Sequence, residues 1–175
     1  MLEVFAPEET LRPRLEEIRG LLDVAFDGEV TEEDWDHVLG GWHVTWTETG
    51  EIVGHAAIVP RTLEVGDETF DTGYVEVVAV RPDRQGNGIG TRVMAAANDL
   101  IRAEFQLGAL STGAHDFYAR LGWQPWRGPT YVRTRSGLTR TPEEDGGIMV
   151  LRFGPSQDLE ITTSIACNQR SGDDW

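Results

Sequence analysis

The stretch Val78-Ala79-Val80-Arg81-Pro82-Asp83-Arg84-Gln85-Gly86-Asn87-Gly88-Ile89-Gly90 places an apolar strand directly before a glycine-rich turn. Apolar residues at helical spacing then run from Ile89 to Ile101, so the turn opens an amphipathic helix. Glycine has no Cβ, and its amide can therefore approach a bound anion closely. The first amides of a helix lack intrahelical partners and carry the positive end of the helix dipole. The pattern predicts a cradle for a phosphate group.

Other sites built on glycine turns fit this stretch less well. A dinucleotide site requires the spacing G-x-G-x-x-G, whereas the glycines here stand at positions 86, 88 and 90. A P-loop requires a lysine, and the chain contains none. A tight turn without a ligand stays open on this motif alone.

A second motif follows further along the chain, at Phe117-Tyr118-Ala119-Arg120-Leu121-Gly122-Trp123. Together with Gln85-x-x-Gly88-x-Gly90, and in this order, it resembles the motifs of the GNAT acetyltransferases. The resemblance implies an α+β fold, with a mixed and mainly antiparallel sheet flanked by helices. It also implies an acetyl-coenzyme A site along the end of the apolar strand and the turn, at Val78, Ala79, Val80, Gln85, Gly86, Asn87, Gly88, Ile89 and Gly90.

Local patterns predict the remaining elements. Apolar residues spaced by three and four positions indicate an amphipathic helix over 8–26, with Leu11 on its apolar face. Thr31 can cap a short helix over 32–39. The other predicted elements are a helix over 114–121, hairpins of 42–47 with 51–59 and of 61–65 with 69–80, and strands at 106–111, 131–134, 148–153 and 159–164.

The length of 175 residues is enough for one domain with a sizeable core, so we expect a single domain over 1–175. The sequence contains no apolar run long enough to span a membrane. The single cysteine, Cys167, permits no internal disulfide, which indicates a reducing compartment and favours a cytoplasmic protein. No pair among the four histidines has zinc-binding spacing, so no metal site is predicted.

The formal net charge of the chain is −15 at pH 7. Such a surface repels nucleic acid and anionic membranes, so neither is an expected partner, and it attracts cationic small molecules. The acidic residues are clustered: seven lie between Asp23 and Asp36, and further runs stand at 143–145 and 173–174. These runs are either solvated faces or a binding site for the ammonium groups of a polyamine.

Three arginines flank the glycine turn, at positions 81, 84 and 92. Because coenzyme A is an anion, its site must be an exception to the acidic surface. We expect Arg81, Arg84 and Arg92 to supply that exception.

Strings spread over nearly the whole chain resemble one GNAT group, the aminoglycoside 2′-N-acetyltransferases. The resemblance implies transfer of the acetyl group of acetyl-coenzyme A to the 2′-amine of an aminoglycoside, by direct attack in a ternary complex, with coenzyme A as the second product. It further implies antibiotic resistance and a homodimer. The matching strings are Ala25-Phe26, Asp34-Trp35, Leu39-Gly40-Gly41, His55-Ala56-Ala57, Gly73-Tyr74-Val75-Glu76, 106–111, 122–126, Gly128-Pro129-Thr130, 139–142 and Gly172-Asp173-Asp174-Trp175.

The same resemblance assigns residues to the acceptor. Carboxylates would hold the ammonium groups of the antibiotic, and the C-terminal tail would contribute the main-chain carboxylate of Trp175 to the substrate pocket. The residues assigned in this way are Glu29, Asp34, Glu76, the main chain of Val77, Ser111, Glu143, Glu144, Asp173 and Trp175.

Two residues are expected to transfer protons. The reacting amine must be neutral to attack, and Glu76, two residues before Val78, is placed to take its proton directly or through water. The resemblance puts the Tyr118 hydroxyl beside the thioester sulfur, where it would protonate the departing thiolate. The alternative interpretations are a solvated strand-face acid at position 76 and a core aromatic residue at position 118.

Two other functions stay open at this point. The first is a GNAT acetyltransferase for another cationic amine, such as a polyamine, a sugar amine of the cell wall or a protein N-terminus. The second is a non-catalytic sensor of acetyl-coenzyme A that binds partner proteins. A protein acceptor would leave the acidic runs without a role, and a sensor would not require both Glu76 and Tyr118.

Overall fold

The computed structural model describes residues 1–10 and 12–175, so Leu11 of the first predicted helix lies outside the described residues. The helices are α1 (Arg12–Ala25), α2 (Glu32–Val38), α3 (Ile89–Glu104) and α4 (His115–Ala119). The strands are β1 (Leu2–Phe5), β2 (Trp42–Glu48), β3 (Glu51–Val65), β4 (Glu68–Val80), β5 (Leu107–Ser111), β6 (Gln124–Pro125), β7 (Thr130–Thr134), β8 (Gly137–Arg140), β9 (Ile148–Arg152) and β10 (Ile165–Asn168).

The chain divides into two compact units. The first unit comprises Met1–Val59 and Val75–Asp99, and the second comprises Pro60–Tyr74 and Leu100–Trp175. Strands β3 and β4 and helix α3 each contribute residues to both units.

In the first unit, β1 pairs with β2 and β2 pairs with β3, both antiparallel, with Thr45 opposite His55. The end of β4 lies beside β3, where the Arg81 amide donates to the Val53 carbonyl at 2.9 Å. Apolar side chains of α1, the loop before α2, β3 and β4 form the core of this unit. Its buried members are Ile18, Leu21, Leu22, Val30, Ile52 and Ala79.

Helix α3 approaches β3 closely at Gly54. A Cβ built on Gly54 would lie 2.5 Å from Cγ2 of Ile89 and 3.3 Å from Cγ2 of Val93. Real Cβ atoms do not approach another side chain as closely as the first of these distances, so only glycine leaves room for the first turn of α3. This contact sets the position at which the glycine-rich turn becomes a helix.

In the second unit, β5 pairs parallel with β4 and antiparallel with β9. Strand β10 pairs parallel with β7 and antiparallel with β3, and β8 pairs antiparallel with β7. The core of this unit is rich in aromatic side chains, which include Trp126, Tyr74 and Trp175. Two parallel pairings among antiparallel ones confirm the predicted mixed, mainly antiparallel sheet.

The local predictions hold where a turn or a cap fixes the element. The hairpin around residues 48–50 is present as β2 and β3. Thr31 caps α2, because its hydroxyl accepts from the Asp34 amide at 3.1 Å while the Asp34 carboxylate accepts from the Thr31 amide at 3.0 Å. Helix α4 is shorter than predicted, and β1 and β8 are strands that the sequence patterns did not indicate.

Two strand predictions are wrong. Residues 51–59 and 61–65, predicted as two strands, form the single strand β3, which continues through the proline at position 60. The predicted strand over 159–164 is a turn, and the strand begins at Ile165 instead. The Ile161 carbonyl accepts from the amides of Arg127 and Gly128, so the main chain of this segment bonds to a loop instead of a strand ladder.

Candidate functional site

The end of β4 carries a backbone irregularity at the predicted acceptor residues. Val77 has φ of 42°, in the left-handed region that a β-branched residue rarely adopts. Such a conformation persists only where surrounding contacts hold it. Nδ1 of His55 lies 3.2 Å from the Val77 carbonyl oxygen, and this bond supplies such a contact. Glu76, Val77 and Val78 are each half-buried.

His55 in turn bonds a second histidine. Nε2 of His55 lies 3.0 Å from Nδ1 of His43, and neither histidine is exposed to solvent. Burial lowers the pKa of His43 to about 4, and burial together with the adjacent His43 lowers the pKa of His55 to about 3. Both imidazoles are therefore neutral at neutral pH.

The glycine-rich turn is shaped to receive an anion. Gly86 and Gly88 have φ of 78° and 74°, and a Cβ built on either would meet no atom within 4 Å. The Arg92 amide donates to the Gly88 carbonyl, so α3 begins here and its first amides have no intrahelical partner. The open space on the glycine side and the helix N-terminus together fit the pyrophosphate of acetyl-coenzyme A.

Side chains of the turn brace its main chain. Nε2 of Gln85 donates to the Val80 carbonyl at 3.2 Å, and Nδ2 of Asn87 donates to the Arg84 carbonyl at 3.1 Å. Ala79 differs from its neighbours because its side chain is buried in the core of the first unit. The predicted cofactor residues lie at the end of β4, over 78–80, and in the turn and first residues of α3, over 85–90.

Two of the three arginines around the turn, Arg81 and Arg84, are paired with carboxylates. Arg81 bonds Glu51 at 2.6 Å and Asp83 at 2.7 Å, and Arg84 lies 3.5 Å from Glu48. Arg92 stacks over the ring of Trp46 at 5.0 Å. The positive charges of Arg81 and Arg84 are therefore largely offset, which leaves Arg92 and the main-chain amides to attract a phosphate.

Residues before and within α2 pack in the core of the first unit. Val30 is buried in the same cluster as Ala79, and Trp35 and Val77 are partly buried against that cluster. Glu29 and Asp34 are the sequence neighbours of Val30 and Trp35, and Glu29 is exposed whereas Asp34 is half-buried. One carboxylate oxygen of Asp34 is already used in the cap of α2.

In the second unit, four predicted acceptor residues come together. The Ser111 hydroxyl donates to the Glu144 carboxylate, and the charges of Asp173 and Glu143 repel the charge of Glu144. Burial, then these two neighbouring charges, raise the pKa of Glu144, while the bond from Ser111 lowers it. A cation bound among these carboxylates would relieve their mutual repulsion.

Tyr118 lies on α4 and is 8% exposed. Its ring makes edge-to-face contacts with Phe117 and Trp123, at centroid distances of 5.0 Å and 6.2 Å. Burial raises the pKa of Tyr118 to about 12, so its hydroxyl stays protonated at neutral pH.

The last residue, Trp175, is 4% exposed and packs in the core of the second unit. Its amide donates to the Asp173 carboxylate at 3.1 Å, and its main-chain oxygen lies 3.5 Å from the Arg170 guanidinium. The indole therefore anchors the tail, and Asp173 uses one carboxylate oxygen to hold the chain there.

The sequence patterns did not indicate the contact between His43 and His55. The turn at residues 48–50 would by itself put His55 opposite Val44, on the other face of the hairpin from His43. The register shift between Trp46 and Thr47 instead brings His55 opposite Thr45, on the same face as His43, and no sequence pattern indicated this shift. Among the residues that the structure describes, no group of three or more His, Cys, Asp or Glu could hold a metal ion. Within the same residues, no helix is long and apolar enough to cross a membrane.

Comparisons with known proteins agree with these features. The sequence matches the family described as Acetyltransferase (GNAT) domain over residues 12–126. It is 44% identical over 161 residues to the aminoglycoside 2′-N-acetyltransferase of Mycolicibacterium fortuitum, and the match covers 90% of this chain and 83% of that protein.

Solved structures show the same fold. The GNAT family N-acetyltransferase YhbS from Escherichia coli, in complex with CoA, matches with a TM-score of 0.67 at 15% identity, over 95% of this chain and 88% of that one. A GNAT family acetyltransferase from Brucella melitensis, in complex with acetyl-CoA, matches with a TM-score of 0.63 at 20% identity, over 91% and 92% of the two chains. The chain belongs to the GNAT family of acetyltransferases, within the group of the aminoglycoside 2′-N-acetyltransferases.

Proposed function

We propose that this enzyme transfers the acetyl group of acetyl-coenzyme A to the 2′-amine of aminoglycosides, by direct attack in a ternary complex. The observation that carries the proposal is the 44% identity to an aminoglycoside 2′-N-acetyltransferase over 90% of the chain. The open glycine cradle at the start of α3 supports binding of the pyrophosphate. The main chain of Val78 and Val80 would bind the pantetheine arm.

In this reaction the amine nitrogen forms a bond to the thioester carbonyl carbon, and the carbon–sulfur bond breaks. The amine loses a proton and the departing sulfur gains one. Glu76, half-buried on β4 beside Val77, would accept the first proton directly or through water. Tyr118 would donate the second, and its raised pKa keeps that proton available at neutral pH.

Acceptor recognition would rest on carboxylates. A polycationic antibiotic carries several ammonium groups, and each forms a charge-assisted hydrogen bond with a carboxylate. Glu143, Glu144 and Asp173 provide one such group in the second unit. Glu29 and Asp34 would provide another in the first unit.

The regiochemistry can be tested with two matched antibiotics, one with an amine at the 2′ position and one with a hydroxyl there. Both should bind, because their other ammonium groups are the same. Only the antibiotic with the 2′-amine should release the thiol of coenzyme A from acetyl-coenzyme A. Rapid acetylation of the 2′-hydroxyl analogue would contradict the proposed site of transfer, and faster turnover of a linear polyamine than of the antibiotic would favour the wider class of cationic amines.

We further propose that residues 1–175 act as one catalytic domain and that the enzyme is a cytoplasmic homodimer that confers antibiotic resistance. Strands β3 and β4 and helix α3 run through both compact units, which supports a single domain. The free thiol of Cys167 is buried, which suits a reducing compartment. Light scattering of the purified enzyme tests the dimer, and expression in a susceptible strain tests the resistance.

A further inference from the structure

We infer that the buried pair His43 and His55 positions the Val77–Val78 peptide for acetyl transfer. Neither histidine is itself among the residues predicted to bind the cofactor or the acceptor. It acts through the Val77 carbonyl, which it bonds at the backbone irregularity of β4. The inference rests on the proposed acetyl transfer.

The hydrogen-bond chain has one consistent arrangement of protons. The Val77 carbonyl can only accept, so Nδ1 of His55 carries a proton and donates to it. Nε2 of a neutral His55 is then the acceptor that faces His43. Nδ1 of His43 must therefore be the donor of the second bond. His43 fixes the tautomer of His55, and His55 fixes the carbonyl.

The orientation of the carbonyl determines where the next amide points. The Val77–Val78 peptide is trans, because the described residues contain no cis peptide bond, so its C=O and N–H point in opposite directions. His55 holds the carbonyl on the β3 side, and the Val78 N–H therefore points away from β3. The Arg81 amide points toward β3, where it donates to the Val53 carbonyl. Because amides alternate in direction along an extended strand, the Val78 amide, three residues earlier, points away from β3.

An outward N–H at Val78 is a main-chain donor in the segment proposed to bind the pantetheine arm. Such a donor accelerates acyl transfer when it is held in place before the carbonyl oxygen gains charge. The left-handed φ of Val77 costs free energy in a β-branched residue, so the peptide would leave this orientation if its carbonyl lost its partner. His55 supplies that partner from a side chain.

The pair positions the peptide and does not transfer protons during the reaction. Both imidazoles are buried and neutral at neutral pH, with their pKa values lowered to about 4 and about 3. Neither ring therefore acts as a proton acceptor for the amine under those conditions.

Two variants of His55 separate the bond to Val77 from packing. His55→Asn keeps an N–H donor at the place of Nδ1, whereas His55→Leu has a similar size and no donor. Both lose the acceptor that faces His43, so both lose that contact equally. We expect kcat of His55→Leu to fall by about 10²-fold, with the acceptor KM little changed, and His55→Asn to recover most of it. Thr45→Val is the matched control, because Thr45 is buried opposite His55 and its hydroxyl has no partner among the described residues.

Equal kcat values in His55→Leu and His55→Asn, at equal stability to urea, would reduce the pair to packing. ¹⁵N NMR of the wild-type imidazoles provides a readout that needs no variant. It should show two histidines protonated on Nδ1 that do not titrate near neutral pH, and a proton on Nε2 of His55 would overturn the inference. If no tested amine is acetylated, the proposed function fails, and the NMR spectrum and the acetyl-coenzyme A affinities of the two variants still decide the inference.

Discussion

Burial alone shifts the Tyr118 hydroxyl toward its neutral form. The aromatic rings of Phe117 and Trp123 contact the Tyr118 ring, and burial raises the pKa of Tyr118 to about 12 because the phenolate would lose its hydration. The hydroxyl therefore keeps its proton at neutral pH and can donate it to a leaving thiolate, while its raised pKa makes it a weaker acid than an exposed tyrosine.

Tyr118→Phe keeps the ring contacts and removes the proton. We expect kcat to fall by about 10²–10⁴-fold, the usual contribution of general acid catalysis, while acetyl-coenzyme A affinity stays unchanged. Tyr131→Phe makes the same chemical change on β7 and should leave kcat unaffected. An unchanged kcat in Tyr118→Phe, measured under conditions where chemistry limits the rate, would exclude the hydroxyl from the mechanism.

The site is predictable from sequence where main-chain geometry is encoded locally. Gly86 and Gly88 adopt positive φ, as the motif requires, and Gln85 braces the turn. The left-handed Val77 carries no such local signal, because its conformation depends on a hydrogen bond from His55, a residue on another strand. Contacts of this kind follow from strand pairing and register, which a motif does not state.

At the level of elements, the junction between β3 and α3 depends on one missing methyl group. Gly54→Ala would bring a Cβ to 2.5 Å from Ile89, the first residue of α3. We expect the free energy of unfolding in urea to fall by about 1–3 kcal/mol, because neighbouring side chains must move to make room. Acetyl-coenzyme A should also bind more weakly, since the displaced residue opens the cradle.

Gly20→Ala provides the control for this substitution. Gly20 lies within α1, and a Cβ there would meet nothing within 4 Å. Alanine should stabilise the helix by about 0.5–1 kcal/mol without affecting cofactor affinity. If Gly54→Ala unfolds at the same urea concentration as the wild type, the contact between α3 and β3 has room for a methyl group and does not require glycine.

The sequence predicts an element correctly where residues close in sequence fix its position, and misplaces it where strands distant in sequence fix it. The cap of α2 involves residues three apart, Thr31 and Asp34, and its position is correct. Strand β10 is set by its neighbours β7 and β3, which are distant in sequence, and it was predicted several residues too early. The apolar residues at 159–161 resemble a strand, yet Leu159 and Ile161 pack as partly buried side chains from a turn.

At the scale of the whole molecule, the net charge of −15 acts differently on the two substrates. It attracts a polycationic acceptor and repels the polyanionic coenzyme, and salt screens both effects. We expect the acceptor KM to rise as salt increases and the acetyl-coenzyme A KM to stay constant or fall. Steady-state kinetics over a series of salt concentrations, with a neutral osmolyte as control, measure both slopes. Slopes of the same sign would show that local charges outweigh the net charge.

The proposed donor site consists of main-chain groups and the proposed acceptor site of side chains, and this difference has an evolutionary consequence. The proposed donor site uses amides that every residue possesses, and its positive-φ glycines tolerate few replacements. The proposed acceptor site uses exposed or half-buried carboxylates, such as Glu29 and Glu143, that can be exchanged at little cost to folding. Descendants of this chain can therefore drift toward new amines while their acyl donor remains constant, and selection by a new antibiotic would act first on the acidic positions.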